Sequence, residues 1–129
     1  MAAIAASPSF LRGPRPKGEL RDGVAGIRGR GNHLLNRFED VEGASVVALC
    51  DVDSSILSKR VEELGAKTGR KIAGYADLRE MLRAGDLDAA AIATPNHLHA
   101  LHTIWSLAAG KVVYVEKPVS HNIWEGQRR

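Results

Sequence analysis

Long apolar runs, cysteines, aromatic residues and a strong charge of either sign are all scarce in this sequence. The purely apolar stretches are only a few residues long, as in Ala89 to Ala93. A bilayer-crossing helix needs roughly 20 apolar residues, so such a span is excluded and no membrane partner is expected. One cysteine, Cys50, among 129 residues excludes an internal disulfide framework and a cysteine-rich zinc site. It lies in an apolar strand, where a thiol is packed rather than reactive. The net charge is only +3, and all of it sits in residues 1–40, which hold seven basic and four acidic side chains. A nucleic-acid surface gathers its basic residues on one element and interleaves aromatics that stack on bases. Only Phe10 and Phe38 accompany these charges, so no nucleic-acid partner is expected. A Gly-x-Ser-x-Gly turn for a serine nucleophile is also missing.

What remains is an ordinary globular composition, 44% hydrophobic and 26% charged, at the length of one domain. Residues 1–19 read as a flexible arm, because Pro8, Pro14 and Pro16 alternate with Gly13 and Gly18. The first seven residues resemble the tail of an export signal but lack its charged leader and its length. A cytoplasmic location is therefore expected, with the remnant of an exported precursor as the alternative. Residues 20–129 alternate strand and helix. Val24–Ile27, Ser45–Cys50, Ile72–Tyr75, Ala89–Ala93 and Val112–Val115 are apolar enough for strands buried on both faces. Between them, apolar stripes at helical spacing run through Leu34, Leu35, Phe38 and Val41, then through Ile56, Leu57, Val61 and Leu64 with a stop at Gly65. Further stripes run from Asp77 through Leu78, Met81 and Leu82 to Gly85, and through Leu98, Leu101, Trp105 and Ala108 to Gly110. A fifth helix is expected after Ser120. The pattern predicts an α/β fold, a doubly wound parallel sheet of Rossmann type with right-handed crossovers.

Gly26-Ile27-Arg28-Gly29-Arg30-Gly31 lies between the first strand and the first helix. There a glycine loop can turn tightly, admit a pyrophosphate and aim the free amides of a helix N-terminus at it. Arg28 replaces the second glycine of G-x-G-x-x-G, and its side chain either blocks the approach or pairs with phosphate. Asp51 ends the second strand 20 positions after Gly31, where a carboxylate binds the adenosine ribose hydroxyls. Its charge repels a 2′-phosphate, so the expected cofactor is NAD rather than NADP. Asp53 offers the ordinary role of a helix-leading carboxylate. Thr94-Pro95-Asn96 and Glu116-Lys117-Pro118 end the fourth and fifth strands. Ligands of open α/β sheets bind beyond such strand ends, near the reversal in strand order. Lys117 can polarise or orient a hydroxyl there. His97, His99 and His102 raise the question of a metal. Only His99 and His102 share a helical face and no carboxylate is near in sequence, so no metal site is expected.

Together these segments resemble the Gfo/Idh/MocA oxidoreductases, named after glucose–fructose oxidoreductase and inositol dehydrogenase. The resemblance runs over residues 20–129. It rests on Val24 to Gly31, Ala48-Leu49-Cys50-Asp51-Val52-Asp53, Ala93-Thr94-Pro95-Asn96-His97 and Val115-Glu116-Lys117-Pro118. It implies a dinucleotide held by the glycine loop and Asp51, with Thr94, Pro95, Asn96 and Glu116 beside the nicotinamide. Lys117 then helps to bind or activate the hydroxyl of a sugar or polyol that undergoes hydride transfer. Some relatives use retained NAD for other chemistry. Family members normally continue into a second domain that carries substrate contacts and the oligomer interface, so the resemblance implies that this chain alone is incomplete as a catalyst. The alternative is a non-catalytic NAD-binding or assembly module that works with a partner chain. One stretch departs from the family pattern: Arg21-Asp22-Gly23 interrupts what should be an apolar first strand. A buried Asp22 costs several kcal/mol unless it lies outside the sheet.

Overall fold

The computed structural model describes residues 18–84 and 86–127. Residues 1–17 of the expected arm and the expected helix stop at Gly85 lie outside the described residues. The elements run β1 (Leu20–Ala25), α1 (Gly29–Glu39), β2 (Ala44–Cys50), α2 (Ser54–Thr68), β3 (Ala73–Tyr75), α3 (Leu78–Ala84), β4 (Ala89–Ile92), α4 (His99–Ala108), β5 (Val112–Val115) and the short α5 (Ile123–Gly126). A 3₁₀ turn at Asn96–Leu98 leads into α4. The strands form one all-parallel sheet in the order β3-β2-β1-β4-β5. The order reverses between β1 and β4, which creates a crevice beyond their carboxyl ends.

Each face of the sheet carries its own core. On one, Val24, Ile27, Val46, Leu49 and Ala91 meet Leu35 of α1 and Leu64 of α2. On the other, Ala48, Ala90 and Ile92 meet Leu78, Met81 and Leu82 of α3, with Leu87 beside them. Met81 and Leu87 are fully buried, each contributing about 1.5–3 kcal/mol of hydrophobic stabilisation. All four residues of β4 are buried, and three of them are alanines, so both helical layers stand close to the centre of the sheet.

The first strand departs from the sequence expectation. It starts at Leu20 rather than Val24 and takes Arg21-Asp22-Gly23 into the sheet. Asp22 pairs with Val46 and Ala89 on the neighbouring strands and is 5% exposed. Burial, reinforced by Asp88, raises its carboxyl from the ordinary 3.8 to about 6. Distant residues tie the segment down: the Arg21 amide donates to Asp88, and its guanidinium pairs with Asp86 at 2.8 Å. Gly23 leaves room for Leu87 and Met81, whose ends would lie 2.8 and 2.9 Å from a Cβ there.

Three helix readings also change. The second helix continues through Gly65 to Thr68, and Gly69, at φ +70°, ends it. Val41 lies beyond α1 and is exposed. In α4 the buried face is His99, Ala100, Thr103 and Ser106, while Leu101 and Ala108 are exposed. Helix starts match the sequence better. Asp53 caps α2 by accepting from the Ser55 and Ile56 amides, and Asp77 accepts from the Arg79 amide at the start of α3.

Candidate functional site

The β1–α1 turn is shaped by close backbone approach. A Cβ on Gly26, which has φ +80°, would lie 2.6 Å from the Ala93 carbonyl oxygen. A Cβ on Gly31 would lie 1.5 Å from the Gly26 carbonyl oxygen. Both positions therefore require glycine. Gly29 sits at φ +41° in open space, so its glycine serves conformation rather than room. The helix begins at Gly29, and the amides of Gly29 and Arg30 have no intrahelical acceptor by position. This cradle fits a pyrophosphate: the turn is tight, its first helical amides are unclaimed within the helix, and the helix end favours an anion.

Arg28, at the second glycine position, is turned away onto Asp53, with which its guanidinium pairs at the surface. Asp51, at the end of β2, lies beside the loop. One of its oxygens accepts from the Ile27 amide at 3.2 Å and the other from the Asp53 amide at 2.9 Å. Ile27 itself is fully buried in the core, so only its backbone belongs to the site. Cys50, immediately before Asp51, is buried, and its thiol is pushed up to about 12, chiefly by desolvation. That leaves it unreactive at neutral pH.

On the far side of the reversal lies a cleft of about 700 Å³. Five residues singled out from the sequence line it: Arg30, Thr94, Asn96, Glu116 and Lys117. Pro95 is exposed and initiates the 3₁₀ turn beneath them. Arg30 reaches from α1 to Glu116 at 2.8 Å, and the Tyr114 hydroxyl donates to the same carboxylate oxygen at 3.0 Å. The arginine, chiefly, holds Glu116 below the usual carboxylate range. Lys117 is exposed at the cleft, and the Lys117–Pro118 bond is cis.

Two lining residues, Tyr114 and His99, were not among the sequence candidates for the cofactor site. Tyr114 was legible: it stands two residues before Glu116, and such residues point to one side of a strand. His99 is 2% exposed and lies between the Thr94 and Pro118 carbonyls. His102 stands 3.1 Å from the Thr94 hydroxyl, and burial, with His99 beside it, lowers its pKa. Among the described residues no three His, Cys, Asp or Glu side chains group to hold a metal. No helix among them is long and apolar enough to cross a membrane.

A family model described as "Oxidoreductase family, NAD-binding Rossmann fold" matches residues 20–129. A curated glycosyl hydrolase family 109 protein of Shewanella amazonensis is 32% identical over 112 residues, covering 83% of this chain and 24% of the relative. The chain thus spans about a quarter of the length of the curated relatives it matches. The WlbA dehydrogenase of Chromobacterium violaceum, solved with NADH and UDP-GlcNAcA, is 28% identical with TM-score 0.76, covering 92% of this chain and 33% of that one. The myo-inositol 2-dehydrogenase of Lactobacillus plantarum is 27% identical with TM-score 0.77, at 84% and 31% coverage.

Proposed function

Since the chain belongs to the Gfo/Idh/MocA oxidoreductase family, we propose that it is the nucleotide-binding part of an NAD-dependent enzyme acting on a sugar, polyol or related alcohol by hydride transfer. The observation that carries this reading is Asp51 at the lip of the glycine turn, with the Lys117 cleft across the same strand-order reversal. The turn at Gly26, Arg28, Gly29 and Gly31, with the amides of α1, holds the pyrophosphate. Asp51 accepts from the adenosine ribose hydroxyls, and its charge disfavours a 2′-phosphate. Thr94, Pro95, Asn96 and Glu116 border the nicotinamide, and Arg30 holds Glu116 in place. When bound, the nicotinamide supplies the hydride acceptor or donor. Lys117 donates a hydrogen bond to the substrate hydroxyl oxygen and steadies the negative charge that grows there as a general base takes up the hydroxyl proton.

Calorimetric titration of the chain with NAD and NADP tests the reading, and NAD is expected to bind more tightly. Equal or tighter NADP binding overturns the role of Asp51, and binding of neither overturns the site.

A second reading, cleavage of a glycosidic bond at the same cleft, is favoured by the 32% identity to a glycosyl hydrolase. Product analysis separates the two. A ketone or lactone with reduced cofactor supports oxidation. A released sugar with no net change in cofactor supports cleavage.

A further inference from the structure

We propose that His99 is a positioning residue that locks the end of β4 to the turn after β5, and so fixes Thr94 and Lys117 at the nicotinamide end of the cleft. The proposal rests on reading that cleft as the dinucleotide site. The two strands stay in register to Ile92 and Val115, and the Glu116 amide still donates to the Ile92 carbonyl. Among the described residues that is the last backbone rung between them. Beyond it the chains diverge, one into the 3₁₀ turn, the other into Lys117-Pro118.

His99 spans this gap. Its Nε2 lies 2.6 Å from the Thr94 carbonyl oxygen and its Nδ1 2.6 Å from the Pro118 carbonyl oxygen. A carbonyl only accepts, so whichever ring nitrogen carries the proton donates to the carbonyl it faces, and the ring is held between the two. The histidine is also the first residue of α4, so one side chain ties a helix start to both strand ends. At 2% exposure it is shielded from competing water, yet it borders the cleft. The residues it fixes are cleft residues: the Thr94 side chain is one, and Lys117 immediately precedes Pro118. Without the ring, nothing spans the two carbonyls and the segment carrying Lys117 loses its anchor.

A purely structural histidine and a positioning one differ in which half of the cofactor they affect. The test compares NADH with ADP-ribose, which keeps both phosphates and both riboses but lacks the nicotinamide. Binding of each to the wild-type chain, His99→Ala and His99→Gln is measured by calorimetry, with and without added imidazole. His99→Ala is expected to weaken NADH about tenfold and leave ADP-ribose within about twofold. Imidazole entering the vacated space is expected to recover part of the loss. Equal weakening of both ligands, or of neither, overturns the positioning role. Should His99→Ala fail to fold, His99→Gln carries the comparison, with NADH alone weakened about threefold as the supporting result. Failure of the wild type to bind NADH refutes the reading of the cleft itself, an outcome distinct from an unaffected variant.

Discussion

Replacing Asp22 by asparagine should make the protein more stable at neutral pH. The side chain stands in a central strand, 5% exposed, with its carboxyl raised from 3.8 to about 6 by burial and by Asp88. A group whose native pKa is raised binds its proton more tightly when folded. Its stabilising contribution is complete below the unfolded value and is lost as pH climbs through the native one. The gap between 3.8 and about 6, at about 1.4 kcal/mol for each pH unit, gives about 3 kcal/mol. Asparagine keeps the shape and never ionises. Its advantage should be about 3 kcal/mol near pH 8 and about half of that near pH 5, where the native aspartate is largely protonated. Urea unfolding of both proteins at the two pH values measures this. Carboxylates remote from position 22 titrate alike in both, so the difference between the proteins reports on Asp22 together with its neighbour Asp88. Parallel stability curves between the two pH values, or a less stable Asp22→Asn near pH 8, would refute the reasoning.

Other substitutions probe the site and the core. Gly31→Ala sets a Cβ 1.5 Å from a backbone oxygen and should cost at least about 3 kcal/mol or prevent folding; an unchanged urea midpoint contradicts this. Asp51→Ser removes the charge that opposes a 2′-phosphate, so the ratio of NADP to NAD dissociation constants should fall about tenfold; an unchanged ratio in calorimetry contradicts the assigned role. Met81→Ala empties a fully buried position between α3 and the sheet and should cost about 2–5 kcal/mol; thermal melts within a degree of the wild type contradict it.

The sheet and the strand ends were legible because buried parallel strands read as short apolar runs and the chemistry begins where those runs stop. Asp51, Thr94 and Glu116 could be located from that alone. Arg21-Asp22-Gly23 was not legible as strand, since a charged residue in a central strand violates the apolar rule. Its partners Asp86 and Asp88 lie more than 60 positions along the chain. The Gly65 stop failed because a glycine inside a helix costs only about 1 kcal/mol, whereas Gly69 alone adopts the left-handed conformation that ends the helix. The inner face of α4 is only partly legible, because apolar size points to Trp105 but not to the small and polar residues buried beside it. Trp105 of the expected stripe does pack against the core, while the buried positions are small or polar: Ala100, and Ser106, whose hydroxyl donates to the His102 carbonyl. Arg28 pairs with Asp53, whose helix-capping role is readable from the sequence but whose reach to the loop is not.

The methyl-sized side chains of β4 link the interior of the protein to its opening. Thr94 and Asn96 follow Ile92 by two and four residues. A bulkier group at Ala90 or Ala91 would therefore wedge a helical layer outward and carry the displacement directly into the mouth of the cleft. The width of that mouth is set from within, by the thinness of the wall behind it.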